Sequence, residues 1–195
     1  EGDLVVIDAD FDAVIVNPSD EELADFGKRV RDESEHRAQL RKLRGKIART
    51  RDGIAIELQA NIELPEDARD ALEAGADGIG LFRSEFLFMD RDELPTEDEQ
   101  YEAYAKVARA MKGKPVVIRT LDIGADKVLN EAARETLGMG KGAPRPESNP
   151  ALGLRGVRTS LWRPDLLAVQ LRALLAVRPA GQVRILLPMI TDIDE

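Results

Sequence analysis

The chain contains no cysteine and one histidine, His36, in 195 residues. Without cysteine there is no disulfide framework, no thiolate zinc site and no thiol nucleophile. This usage fits a reducing compartment, and the expected location is cytoplasmic. No apolar run approaches the roughly 18 residues of a membrane span, and no secretory-signal pattern opens the sequence. Basic charge is in short supply: 28 Lys and Arg stand against 37 Asp and Glu, a net charge of -9. That balance argues against a general nucleic-acid or anionic-membrane binder, while leaving room for a local basic pocket. A Gly-x-Gly-x-x-Gly fingerprint is also missing, and Gly78-Ile79-Gly80 alone is too little to hold a nucleotide. What is present is apolar: 43% hydrophobic residues, enough for a sizeable core in one large domain or parts of two.

Two β-rich runs, Leu4–Ile7 and Ala13–Val16, predict a hairpin closed by Asn17-Pro18. Ser19 with Glu22 three residues on is a capping box. It predicts a helix running to about Arg51, acidic in its first turns and basic in its last, in the order that complements the helix dipole. Its apolar stripes (Leu23, Phe26, Val30; Leu40, Leu43, Ile47) are thin, as in a helix that bridges two bodies. His36 falls in its polar middle and is read as a surface residue, and the basic end as a solvated face.

From Gly53 the texture changes. Strands are predicted over Ile54–Asn61, Gly78–Phe82, Pro115–Thr120 and Val183–Met189. Helices are predicted over Leu64–Ala74, Thr96–Lys112 (a second capping box, Thr96 with Glu99), Pro150–Leu161 and Asp165–Val177. A long glycine- and proline-containing connection spans Leu121–Asn149. Four strand–helix units with near-continuous apolar strands predict an α/β fold with a parallel sheet covered on both faces. Half of a (β/α)8 barrel suits this better than a dinucleotide fold.

Sites of such barrels lie at the carboxyl ends of the strands. Arg83 ends the second strand and Arg119 the third; Arg155 lies just inside the helix expected from Pro150, and Asp122, Asp126 and Lys127 follow Arg119. Several guanidiniums around one mouth suit a small, strongly anionic ligand, because guanidinium is planar, always charged and bidentate toward phosphate or carboxylate. Glu85, Asp122 and Asp126 are read as partners of these arginines and not as metal ligands.

Three stretches carry a resemblance: Gly80-Leu-Phe-Arg-Ser-Glu-Phe-Leu-Phe-Met-Asp-Arg91, Ile118-Arg-Thr-Leu-Asp-Ile-Gly-Ala-Asp-Lys127 and Asn149-Pro-Ala-Leu-Gly-Leu-Arg155. In order, they resemble the phosphoenolpyruvate–protein phosphotransferases, the enzyme I family of the bacterial sugar phosphotransferase system. Ala125 stands where that family usually has glycine and Ser84 where it usually has threonine. The resemblance implies the end of a swivelling phosphohistidine domain over residues 1–18, a linker helix over 19–51, and the first half of a phosphoenolpyruvate-binding TIM barrel over 52–195. It implies that Arg83, Arg119 and Arg155 bind substrate, assisted by Lys127, with no catalytic residue of its own in this stretch.

The implied activity moves the phosphoryl group of phosphoenolpyruvate to a histidine and on to the histidine-containing phosphocarrier protein, with Mg2+ as cofactor, in a homodimer serving sugar uptake. The nucleophilic histidine is expected ahead of residue 1, and the magnesium carboxylates and acid cysteine beyond residue 195. These 195 residues are therefore expected to be part of a longer chain and inactive by themselves. A fused multiphosphoryl transfer protein would look the same over this window. Phosphoenolpyruvate synthases and pyruvate phosphate dikinases share the arginine of the second strand but not the Asp-Ile-Gly-x-Asp-Lys stretch. A barrel lyase of the phosphoenolpyruvate–pyruvate group needs neither the hairpin nor the charged helix. A non-catalytic scaffold or dimerising module is the alternative of another class.

Overall fold

A computed structural model describes residues 2–9, 11–89, 91–123, 149 and 153–195. The chain divides into two compact units, Glu1–Lys46 and Ile47–Glu195. In the first, strand β1 (Val5–Asp8) pairs antiparallel with β2 (Ala13–Val16), Val5 opposite Val16 and Asp8 opposite Ala13. Helix α1 (Asp20–Arg41) starts at the predicted cap: Ser19 Oγ accepts from the Glu22 amide at 3.3 Å, and Glu22 Oε2 accepts from the Ser19 amide at 2.7 Å. No residue of α1 is buried.

The helix is ten residues shorter than the charge pattern predicts. It ends at Arg41, the chain turns over 42–45, and Gly45 takes φ +76°. That left-handed conformation costs a glycine little and stops a helix. Arg44, Lys46, Arg49 and Arg51 therefore lie outside it, and Arg41 is the basic residue of its last turn.

In the second unit, β3 (Ala48–Arg49) pairs antiparallel with β4 (Ala55–Ile56). The strand predicted over Ile54–Asn61 is thus two strands, β4 and then β5 (Gln59–Ile62). The break lies at Leu58, whose amide donates to Asp77 Oδ2 while its carbonyl accepts from the Asp77 amide, both at 2.8 Å. This clasp takes the chain out of the small hairpin and into the main sheet.

There β5 is followed by α2 (Asp67–Ala74), β6 (Gly78–Arg83), a 3-10 turn (Ser84–Leu87), α3 (Glu97–Ala110), β7 (Val116–Arg119), α4 (Val157–Trp162), α5 (Pro164–Ala176) and β8 (Val183–Leu186). The sheet is parallel throughout, in the order β5-β6-β7-β8.

The expectation of a sheet covered on both faces is corrected among the described residues. Ile62, Ile79, Phe82, Val116 and Ile118 form one buried cluster with Ala68 and Ala71 of α2, Tyr104, Val107 and Ala108 of α3, and Ala173 and Leu174 of α5. The residues that alternate with these strand positions (Asn61, Leu81, Arg83, Val117, Arg119, Leu186) are half-buried or exposed. Successive strand side chains point to opposite faces, so the helices pack on one face of this sheet.

The helix predicted over Pro150–Leu161 is observed over Val157–Trp162, with 153–155 non-helical. Gly156 explains the late start. It has φ +57°, and a Cβ there would sit 3.1 Å from the Pro188 carbonyl oxygen, while the next amide, Val157 N, donates to that oxygen at 3.0 Å. The turn carrying Arg155 is thereby strapped to the loop that follows β8.

Candidate functional site

Arg83 and Arg119 end adjacent parallel strands in direct register. Phe82 and Ile118 face the helices, so both arginines fall on the opposite face, at the carboxyl end of the sheet. Arg155 reaches the same end from the strap before α4. Asp122 joins two of the three: its Oδ1 and Oδ2 accept from Arg155 Nε at 3.0 Å and Nη2 at 3.1 Å, and Oδ2 is also 3.1 Å from Arg119 Nη1. Glu85 Oε1 takes the other end of Arg119 at 2.5 Å. The result is a row, Glu85–Arg119–Asp122–Arg155, in which two cations alternate with two anions. Arg83 stands one strand away. Its Nη1 meets Glu63 Oε1 at 2.9 Å, and its guanidinium lies 5.9 Å from the centre of the Phe86 ring.

The two parts of this cluster differ in burial. Glu85 is fully buried and Asp122 nearly so, whereas the Glu63 side chain is 44% exposed. Charges taken out of water need partners, and the row supplies them at both Arg119 terminal nitrogens while Arg119 Nε is buried without a hydrogen bond. Beneath it, Phe88, Leu121 and Ile123 form a second apolar cluster with Leu94 and Leu166 packed against it. The inner guanidiniums, Arg119 and Arg155, are the more buried, with side chains 19% and 16% exposed, and the outer one, Arg83, is 33% exposed. Such a mouth fits a small ligand with several negative oxygens.

Glu85 and Asp122 pair with guanidiniums, and among the described residues no group of three or more His, Cys, Asp or Glu is placed to hold a metal ion. Lys127 and Asp126 lie outside the described residues. His36 is exposed on α1, as expected.

Sequence reasoning missed several members. Glu63 falls between the predicted strand and helix, and its pairing with Arg83 needs the β5–β6 register. A buried polar network was also missed. Ser84 Oγ donates to the Arg119 carbonyl at 2.6 Å, Gln170 Nε2 donates to Ser84 Oγ at 3.0 Å and to Tyr104 OH at 2.9 Å, and Tyr104 OH donates to Gln100 Oε1 at 3.1 Å. Burial pushes the Tyr104 phenol well above its usual range, so it keeps its proton. A glutamine at the centre of the apolar pattern of α5 was the available signal.

The sequence matches the family described as PEP-utilising enzyme, PEP-binding domain, over residues 37–195. It is 47% identical to a protein of Cupriavidus necator over the whole of this chain, 48% to one of Geobacillus stearothermophilus and 44% to one of Staphylococcus carnosus. Each of these relatives is named phosphoenolpyruvate-protein phosphotransferase. The chain spans about a third of their length, 32% in each case. With 159 residues of a PEP-binding domain and relatives of this similarity, the chain belongs to the PEP-utilising enzyme family.

Proposed function

We propose that the cluster of Arg83, Arg119 and Arg155 binds phosphoenolpyruvate, and that the chain is part of a phosphoenolpyruvate–protein phosphotransferase. The observation that carries this reading is the convergence of the three guanidiniums at the carboxyl end of one parallel sheet, two of them sharing Asp122. Phosphoenolpyruvate offers a phosphate and a carboxylate on a three-carbon frame, and planar bidentate donors match both. Each guanidinium already holds a carboxylate, so the ligand's oxygens replace or join these contacts. Glu63, the most exposed of them, is the readiest to yield.

As the phosphoryl group leaves, charge spreads over its oxygens. Fixed guanidiniums in a water-poor mouth stabilise that charge without having to reorganise. The chain's contribution is therefore positioning and electrostatics; the accepting histidine is proposed to be a residue other than the exposed His36. Lys127 is proposed to assist.

The helices on one sheet face, with half-buried Leu81 and Val117 and exposed Leu186 on the other, support a barrel that further strands close. In that architecture residues 52–195 are the first barrel half, 19–51 a linker segment and 1–18 the end of a phosphohistidine domain. For the complete enzyme we propose Mg2+ as cofactor, the histidine-containing phosphocarrier protein as acceptor, a homodimer, a cytoplasmic location and a role in sugar uptake. No helix among the described residues is long and apolar enough to cross a membrane.

Calorimetric titration of phosphoenolpyruvate into the wild type and into Arg83→Ala tests the site. Arg83 is the most exposed of the three guanidiniums, so its loss should weaken binding by about tenfold, the equivalent of ~1.4 kcal/mol. Equal affinity in the two proteins would remove Arg83 from the site.

A further inference from the structure

Three glutamines are buried in the second unit, Gln100, Gln170 and Gln182, and the last two work at opposite ends of the sheet. Gln182 sits just before β8, at the amino ends of the strands. Its Nε2 donates to the Ala108 carbonyl at 2.7 Å and to the Lys114 carbonyl at 3.1 Å, tying the end of α3 to the approach to β7. Gln170, on α5, works at the carboxyl end. Its Oε1 accepts from the Leu121 amide at 2.9 Å, and its two Nε2 protons go to Ser84 Oγ and Tyr104 OH. The Ser84 hydroxyl, with its lone pair taken by Gln170, gives its proton to the Arg119 carbonyl.

One side chain therefore fixes the backbone on both sides of Thr120, in the segment from which Arg119 and Asp122 project. Gln170, Ser84, Tyr104 and Leu121 are each 4% exposed or less, so water cannot replace these bonds. Nothing in the packing of α5 requires an amide there. An apolar residue of equal size would fill the space, so the amide is explained by what it bonds.

We propose that Gln170 is a positioning residue for the arginine seat: through Leu121 N and, by way of Ser84, the Arg119 carbonyl, it holds Arg119 and Asp122 at the separation that an anionic ligand meets. This rests on the reading that the seat binds phosphoenolpyruvate. It assigns the Ser84 hydroxyl the task of passing the amide's hold on to the Arg119 carbonyl.

The test compares Gln170→Met with Gln182→Met in the whole protein, titrated with phosphoenolpyruvate below the melting transition. Both variants should melt lower. Gln170→Met should also bind phosphoenolpyruvate about tenfold more weakly, the equivalent of ~1.4 kcal/mol, whereas Gln182→Met should bind as the wild type does. In an Arg119→Lys background the Gln170→Met effect should shrink, because the group it positions has changed. Amide exchange at Leu121 should accelerate in Gln170→Met while that at Ile79 does not.

Unchanged affinity in Gln170→Met, an equal loss in Gln182→Met, or an undiminished loss in the Arg119→Lys background would each overturn the proposal. If Gln170→Met does not fold, Ser84→Ala and Ser84→Thr decide: alanine should weaken binding and threonine should keep it, and equal affinities would overturn the idea. Should the wild type fail to bind phosphoenolpyruvate, the functional reading falls, and the Leu121 exchange result still decides whether Gln170 holds that backbone.

Discussion

Each unit of this protein holds an arginine between two carboxylates, and the surroundings make them different devices. In the first unit Arg29 Nη2 meets Asp8 Oδ2 at 2.5 Å and its Nε meets Asp25 Oδ2 at 3.3 Å, with the guanidinium 5.1 Å from the Phe11 ring centre and 5.6 Å from that of Phe26. Asp8 is on the hairpin and Asp25 is one turn back on the same helix, so the cation clasps hairpin to helix. Its hydrogen bond to Asp8 raises its pKa further above an already high value, which leaves its charge constant. In the second unit Arg119 ends a strand, and its partners Glu85 and Asp122 follow strand ends in turn. One of them is shared with a second arginine, and a third arginine stands in register on the next strand. A guanidinium enclosed by two aromatic rings and its own helix is a structural clasp. One set among alternating carboxylates and guanidiniums at the carboxyl end of a parallel sheet is the arrangement proposed above to receive an anion.

The comparison breaks most forcefully at Arg119. Arg119→Ala removes a guanidinium partner of fully buried Glu85, and breaking a buried pair costs ~3–5 kcal/mol. It should lower the melting temperature markedly and abolish measurable phosphoenolpyruvate binding. Adding Glu85→Gln should restore much of the stability and none of the binding, as read by thermal denaturation and calorimetry. Recovery of both, or of neither, would mean that the row does not separate into a structural half and a ligand half.

Arg29→Ala should have a smaller effect and of one kind. The hairpin–helix clasp loosens, and the first unit should melt several degrees lower, while affinity for phosphoenolpyruvate stays that of the wild type. A change in affinity would erase the distinction drawn between the two arginines.

The two units also differ in how far the sequence exposed them. Both capping boxes were legible because Ser19/Glu22 and Thr96/Glu99 act within one helical turn. The parallel strands and the positions of Arg83 and Arg119 were legible because apolar runs and strand-end arginines are local patterns, whereas Arg155, expected inside a helix, lies in the strap before it. The end of α1 was misread because continuous polar composition conceals a stop that depends on the backbone of Gly45. The split after β4 depends on Asp77, 19 residues beyond Leu58, and the Gln170 network bridges up to 86 residues. No local pattern encodes such partners. That helices cover one sheet face among the described residues was missed for a related reason: apolar strands look alike whether their second face meets helices or further strands.

The smallest effect expected separates the two capping boxes themselves. In α1, Glu22 is held below its usual range by the Ser19 amide and hydroxyl. In α3, Glu99 receives the Thr96 amide at 2.7 Å and the Thr96 hydroxyl at 3.0 Å, and Arg91 Nη2 in addition at 2.9 Å; its carboxyl drops from 4.5 to about 2. A depressed folded-state pKa means that the ionised carboxylate favours the fold. That contribution is complete above the unfolded value, 4.5, and disappears as pH falls toward the folded value, about 2. Glu99→Gln should therefore melt below the wild type at pH 7, and the gap should close between pH 4.5 and about 2. Glu22→Gln should show a smaller gap over a narrower interval, because no cation joins its cap and α1 buries none of its residues, whereas α3 carries Tyr104 and Val107 into the core. Melting curves of the three proteins from pH 7 to pH 2 read this directly. Equal gaps for the two variants would show that Arg91 adds nothing to the cap and that burial of the helix does not amplify it.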